Sequence, residues 1–167
     1  MSDDAIQVRR AKPADEAVIA EFNRALAMES EGLELDAALV QSGVRAVLAD
    51  PGRGCYFLAG QAGQVVGQIG LTYEWSDWRN GFFWWIQSVY VRESHRRSGV
   101  FRALYHHVEA MALEDPGCTG LRLYVEPENR KAIETYLSLG LSDAPYRMLE
   151  LDFSEPDRES RAAEKDD

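Results

Sequence analysis

The stretch from Phe82 to Glu114 does most to limit what this chain can fold into. Phe82 to Val91 is an aromatic and β-branched run that reads as a strand. Gly99 to Glu114 then carries apolar residues at helical spacing and stops before Pro116-Gly117. Between them lies a short basic turn, Arg92-Glu-Ser-His-Arg96-Arg97-Ser98-Gly99. An apolar strand that passes through a glycine-containing turn straight into a helix belongs to layered α/β architecture. It also places the free N–H groups and the positive dipole end of that helix beside two arginines, a combination suited to a phosphate group. The turn lacks the Lys-Ser or Lys-Thr of a Walker loop and the further glycines of a dinucleotide fingerprint.

The remaining sequence alternates between strand and helix periods. Ala5 to Arg9 reads as a short strand. Pro13 suits a first helical position, and Val18, Ile19, Phe22, Ala25 and Leu26 follow at helical spacing. Asp36 can cap a second helix bearing Leu39, Val40, Val44, Val47 and Leu48. Cys55 to Gly60 and Gln64 to Tyr73 read as a hairpin. Thr119 to Val125 reads as a strand, Asn129 to Leu139 as a helix stopped by Gly140, and Tyr146 to Phe153 as a final strand. The expected order is β-α-α-β-β-β-α-β-α-β around one central sheet.

At 167 residues the chain fits one domain with a core large enough to need no staple. The domain is expected to span residues 1–153. Residues 154–167 hold six acids and three bases with no apolar side chain larger than alanine, the composition of an acidic flexible tail. A net charge of −10 argues against nucleic acid or an anionic membrane as the main partner. Cys55 and Cys118 make neither a metal-spaced pair nor a disulfide framework. No apolar run approaches the ~20 residues of a membrane span, and the acidic start is unlike a signal peptide. A cytoplasmic location is the expectation. His95, His106 and His107 lack metal-ligand partners at useful spacing, so no metal is expected.

Two segments, in order, resemble the GNAT superfamily of N-acetyltransferases. Arg96-x-x-Gly99, after a Val-containing strand, is similar to its motif A, with Phe101 standing where the family has Gly or Ala. Leu121 to Leu141, with Asn129, Ala132, Tyr136 and Gly140-Leu141, resembles its motif B. The resemblance implies a single-domain α/β fold with a mixed, mostly antiparallel sheet flanked by helices. It implies acetyl-CoA as co-substrate, its pantetheine arm paired with the main chain of Val89, Tyr90 and Val91. The pyrophosphate would lie on the N–H groups of Arg97, Ser98, Gly99, Val100, Phe101 and Arg102, with Arg96 and Asn129 beside it. Phe101 is tolerable only if its ring points away from the phosphates. The family often uses a Tyr at the position of Tyr136 to protonate the departing sulfur.

A general base is not evident, because the central strand carries no carboxylate. Glu126 is the nearest acid on the following strand, and a water chain ending at Glu126 or Glu29 is the alternative. For the acceptor, the loop Tyr73 to Gly81 and the run Phe82 to Trp85 hold all four tryptophans. Trp75 and Trp78, flanked by Glu74 and Asp77, offer aromatic faces beside carboxylates, which suits a cationic amine. Tyr73 and Trp85 are candidate acceptor residues with Trp75. Glu29, between the first two helices, lies where the resemblance implies an acceptor wall. The expected reaction is acetyl transfer to the primary amine of a small molecule or peptide. A non-catalytic acyl-CoA-binding module and a protein-interaction domain are the alternatives. The resemblance also leaves a homodimer through edge strands as an expectation.

Overall fold

The computed structural model describes residues 5–153, so the acidic segment 154–167 lies outside the described residues. The chain divides into two compact units, Met1–Tyr124 and Val125–Asp167.

The first unit is built on a five-stranded sheet with strands in sequence order: β1 (Gln7–Arg10), β2 (Cys55–Gln61), β3 (Gln64–Ser76), β4 (Gly81–Val91) and β5 (Cys118–Leu123). Neighbours pair antiparallel from β1 to β4, and β5 joins β4 in parallel. A parallel neighbour needs a long return path, supplied here by α3 (Val100–Glu114). Between β1 and β2 the chain forms α1 (Glu16–Glu31) and α2 (Ala37–Ala49). The helix expected from Pro13 opens as a single 3-10 turn, Pro13–Asp15. Asp36 caps α2 as its position suggests, its carboxylate accepting from Leu39 N at 2.7 Å. α1 closes on Gly32, with Leu33 N returning to Ala27 O.

Alternation along the strands divides the core between two faces. On one, Leu58 packs with Ile19, Ala20 and Val44 of α1 and α2. On the other lies α3, whose Val100, Leu104, Tyr105 and Val108 are buried. Gly67 shows how closely α3 sits. A Cβ there would come 2.8 Å from Val100 Cγ1 and 3.0 Å from Tyr90 O. Glycine therefore lets the first turn of α3 rest on β3 beside the end of β4.

The second unit contains α4 (Arg130–Ser138), whose N-cap Asn129 accepts from Ala132 N at 3.2 Å. One expectation needs correction. Tyr146 to Phe153 has strand composition but forms no strand, and Tyr146, Met148, Leu149, Leu151 and Phe153 are exposed. A strand exists only through a ladder partner, and no partner pairs with this segment among the described residues.

Gly67→Ala should lower stability by about 1–3 kcal/mol through overpacking against Val100 and Leu104. Gly43→Ala, on the exposed side of α2 with nothing within 4 Å, should raise it by about 0.5–1 kcal/mol. Urea unfolding of the two variants checks these opposite signs.

Candidate active site

The site begins where β4 loses a neighbour. Pairing with β5 covers Phe82 to Ile86 and stops, whereas pairing with β3 continues to Val91. The main chain from Gln87 to Val91 thus keeps no strand partner on the β5 side among the described residues. Within this divide Gln87 is an extra residue, since Gly70 faces Ser88 and Leu71 faces Ile86. Such a bulge bends the strand and frees main-chain groups. An extended amide-bearing chain can pair with an exposed strand edge of this kind.

Beyond Val91 the chain makes the basic turn. His95 N donates to Arg92 O at 2.8 Å and Ser98 Oγ to His95 O at 2.5 Å. Arg97 and Gly99 adopt left-handed φ values of 64° and 90°. At Gly99 a Cβ would meet nothing within 4 Å, so backbone conformation, not space, calls for glycine. Having no side chain, Gly99 cannot cap α3, whose first intrahelical bond runs from Ala103 N to Gly99 O (3.0 Å). The first turn of α3 therefore carries no side-chain cap from Gly99 and presents the positive end of the helix dipole to an anion. Arg97, Ser98 and Arg102 are exposed beside it. The Phe101 ring lies 6.1 Å from that of Tyr105, one turn along α3. These residues fit a pyrophosphate-bearing co-substrate.

Arg96 behaves differently from its neighbours. Its Nη2 donates to Glu29 Oε2 at 2.5 Å, its Nε to Val91 O at 3.0 Å, and its guanidinium lies 5.7 Å from the Tyr90 ring centroid. Tyr90 Oη donates to the other Glu29 oxygen at 3.2 Å. The bond to Glu29 pushes the Arg96 pKa further up. Burial, then the Glu29 charge, raises that of Tyr90. The residue expected at the acceptor wall and one expected at the phosphate are thus bound to each other.

Residues opposite one another in an antiparallel pair share a face. Tyr73 faces Trp84 and Trp75 faces Phe82, on the α3 side of the sheet. Tyr73 Oη donates to Cys55 Sγ at 3.4 Å, and burial raises its pKa. Trp85 faces Thr72 on the opposite side, with Tyr90 and Glu29. There Trp85 Nε1 donates to Glu74 at 2.8 Å, Arg122 pairs with Glu74 at 2.7 Å, and the Trp85 and Tyr124 rings lie 4.3 Å apart. The four residues expected to meet the acceptor do not form one wall: Glu29 and Trp85 share a face, while Tyr73 and Trp75 belong to the other.

That face also carries polar residues which the sequence reading passed over. Gln68 is 0% exposed and donates to Asn23 Oδ1 at 2.7 Å, and Asn23 Nδ2 donates to Tyr56 Oη at 3.2 Å. Gln68 Oε1 and Ser88 Oγ are buried without a hydrogen-bond partner among the described residues. The available signal was a glutamine between Val66 and Gly70, at an inward position of an otherwise apolar strand.

In the second unit, Tyr136 lies seven residues beyond Asn129 on α4, close to the same azimuth. It is half-buried, and burial holds its hydroxyl pKa above the ordinary 10.0. Glu126 is exposed, and its main-chain oxygen accepts from Asn129 N at 2.9 Å. No helix among the described residues is long and apolar enough to cross a membrane.

Residues 19–141 match the Acetyltransferase (GNAT) family model, and the chain belongs to that family. A possible acetyltransferase from Clostridium difficile 630 superposes with a TM-score of 0.85 at 45% identity, over 90% of this chain and 99% of that one. A thialysine N-epsilon-acetyltransferase from Bos taurus is 33% identical over 79 residues, 47% of this chain. The match spans 45% of that relative's length. An aminoglycoside N-acetyltransferase in complex with CoA shares the fold, with a TM-score of 0.71 at 15% identity over 90% and 96% of the two chains.

Replacing Gln68 by Leu leaves the Asn23 carboxamide oxygen unpaired and should cost about 1–3 kcal/mol. Asn23→Leu together with Gln68→Leu should recover part of that loss. Thermal unfolding of the two single variants and the double variant measures this coupling.

Proposed function

We propose that the chain transfers an acetyl group from acetyl-CoA to a primary amine, with a small molecule as the first class of acceptor and a peptide amino terminus as the second. The observation that carries this reading is the edge of β4, free of β5 after Ile86, running directly into the uncapped N-terminus of α3. A pantetheine arm, being an extended chain with two amides, suits the main chain of Val89, Tyr90 and Val91. A pyrophosphate suits the N–H groups from Arg97 to Arg102, with the charges of Arg97 and Arg102 added.

Tyr136 acts as the general acid. As the amine forms its C–N bond to the acetyl carbon and the C–S bond breaks, Tyr136 gives its proton to the departing thiolate. Its raised pKa keeps that proton in place at neutral pH. The nitrogen loses two protons. One leaves before attack, through water to Glu126 or Glu29 as the receiving carboxylate. A second leaves as the C–N bond forms, returning through water to the Tyr136 phenolate and restoring the acid. Glu29 and Trp85, on one face of the sheet, suit the acceptor's positive charge. The relatives support an amine acceptor, since one is named for thialysine and another for aminoglycosides. A cytoplasmic location accords with this chemistry.

Calorimetry with acetyl-CoA, followed by thiol release with 1,4-diaminobutane, thialysine, an aminoglycoside and an alanyl peptide, tests the proposal. Micromolar binding with release for one amine is expected. Binding without release from any of them would make the chain an acyl-CoA-binding module. No binding at millimolar acetyl-CoA would favour a protein-interaction domain.

Tyr136→Phe should leave acetyl-CoA affinity unchanged and lower kcat by about 10²-fold or more. An unchanged kcat removes Tyr136 as the acid. The sign of the pH dependence follows from the raised pKa. Tyr136 stays protonated below its folded-state value, so kcat should show no falling limb from it below about pH 10.

A further inference from the structure

We propose that Glu29 is a shared counter-charge: it holds Arg96 in the geometry seen here, yields it to the pyrophosphate of acetyl-CoA, and then presents its carboxylate to the acceptor's ammonium. This inference rests on the acetyl-CoA reading above and adds an exchange that links the two substrates.

Several observations converge on it. Glu29 lies near the C-terminal end of α1 and Arg96 at the start of the turn that leads into α3, yet the pair is 2.5 Å apart. Each Glu29 oxygen has one donor, Arg96 on Oε2 and Tyr90 on Oε1. Arg96 is also anchored by its Nε on Val91 O, at the foot of the turn. These two bonds use Nε and Nη2 and leave Nη1 to neither, so the guanidinium has a further donor to offer an incoming anion. Both members are about two-fifths exposed, and pairs of that exposure contribute little net stability. A pyrophosphate, with more charge and several acceptor oxygens, is the stronger partner for a guanidinium.

The neighbouring charges leave few substitutes. Arg92 is engaged with Glu21 at 3.1 Å and stacks on Phe22 at 4.8 Å. Glu93, in the same turn, also acts on the Arg96 charge. Once Arg96 leaves, Glu29 keeps only the Tyr90 hydroxyl as a donor. A carboxylate with one neutral donor is a good receiver for an ammonium ion. The acceptor wall then gains its negative charge only when the co-substrate is in place.

The test is a double-mutant cycle read by calorimetry with acetyl-CoA. Glu29→Gln should tighten binding by about two- to fivefold, the range expected for loss of an exposed competing pair. In an Arg96→Ala background the same change should give no gain. A gain that persists without Arg96 reports the general field of the removed charge and overturns the exchange. An unchanged or weaker affinity for Glu29→Gln alone also overturns it. Melting curves confirm that each variant is folded, and Glu29→Asp, which keeps the charge, should restore the wild-type affinity. For the second half, Glu29→Gln should raise KM for thialysine about tenfold at saturating acetyl-CoA, with a smaller effect on kcat. An equal KM, or no turnover of thialysine when another amine is acetylated, overturns that half. If wild type binds acetyl-CoA but acetylates none of the amines, the transferase reading fails while the calorimetric cycle still decides the exchange.

Discussion

The rest of the structure depends on how β4 is shared between its two neighbours. A central strand normally has both edges occupied, because unpaired main-chain groups inside a sheet are costly. Here β4 keeps β3 to its end but gives up β5 after Ile86. The bulge at Gln87 accompanies that change, and the close seat of α3 on Gly67 lies beside it. Together they produce an edge able to pair with an extended chain and, immediately after it, a helix N-terminus able to hold an anion. The molecule needs no dedicated pocket of charged side chains to do this. In the proposed reading, main-chain groups supply most of the recognition.

Charge explains how such a site suits an acidic protein. With a net charge of −10, the chain repels phosphate at long range. The basic turn reverses that field locally, and Arg97 and Arg102 stay exposed to do so. Arg92 and Arg96 are instead committed to Glu21 and Glu29 of α1. These pairs tie the first helix to the turn, so in the proposed reading the acceptor wall and the co-substrate cradle share side chains.

The sheet face beneath α1 is mixed in character. Near the first two helices it is apolar, with Leu58 among Ile19 and Val44. Toward the end of β4 it becomes polar, through Gln68, Asn23, Tyr56 and Ser88, and beyond them lie Trp85, Glu74 and Arg122. Buried polar groups of this kind cost stability unless they are satisfied. The two that are not among the described residues, Gln68 Oε1 and Ser88 Oγ, lie on the face that Glu29 and Trp85 share.

The sequence by itself determined the family, the order of the helices and five of the strands, and the position of the basic turn before α3. Those features rest on local signals: period, caps at Asp36 and Asn129, and a glycine at a left-handed residue. It did not determine which side chains meet. That Arg96 turns to Glu29, 67 residues away, follows from α1 and the turn being brought together by the sheet. That Tyr73 and Trp75 part from Trp85 follows from strand register, which no single strand specifies. The segment from Tyr146 to Phe153 makes the same point in reverse, since its strand composition found no ladder partner among the described residues. Local chemistry fixes elements because their hydrogen bonds and rotamers are local. Partners across a sheet or between helices are fixed only when the whole first unit packs.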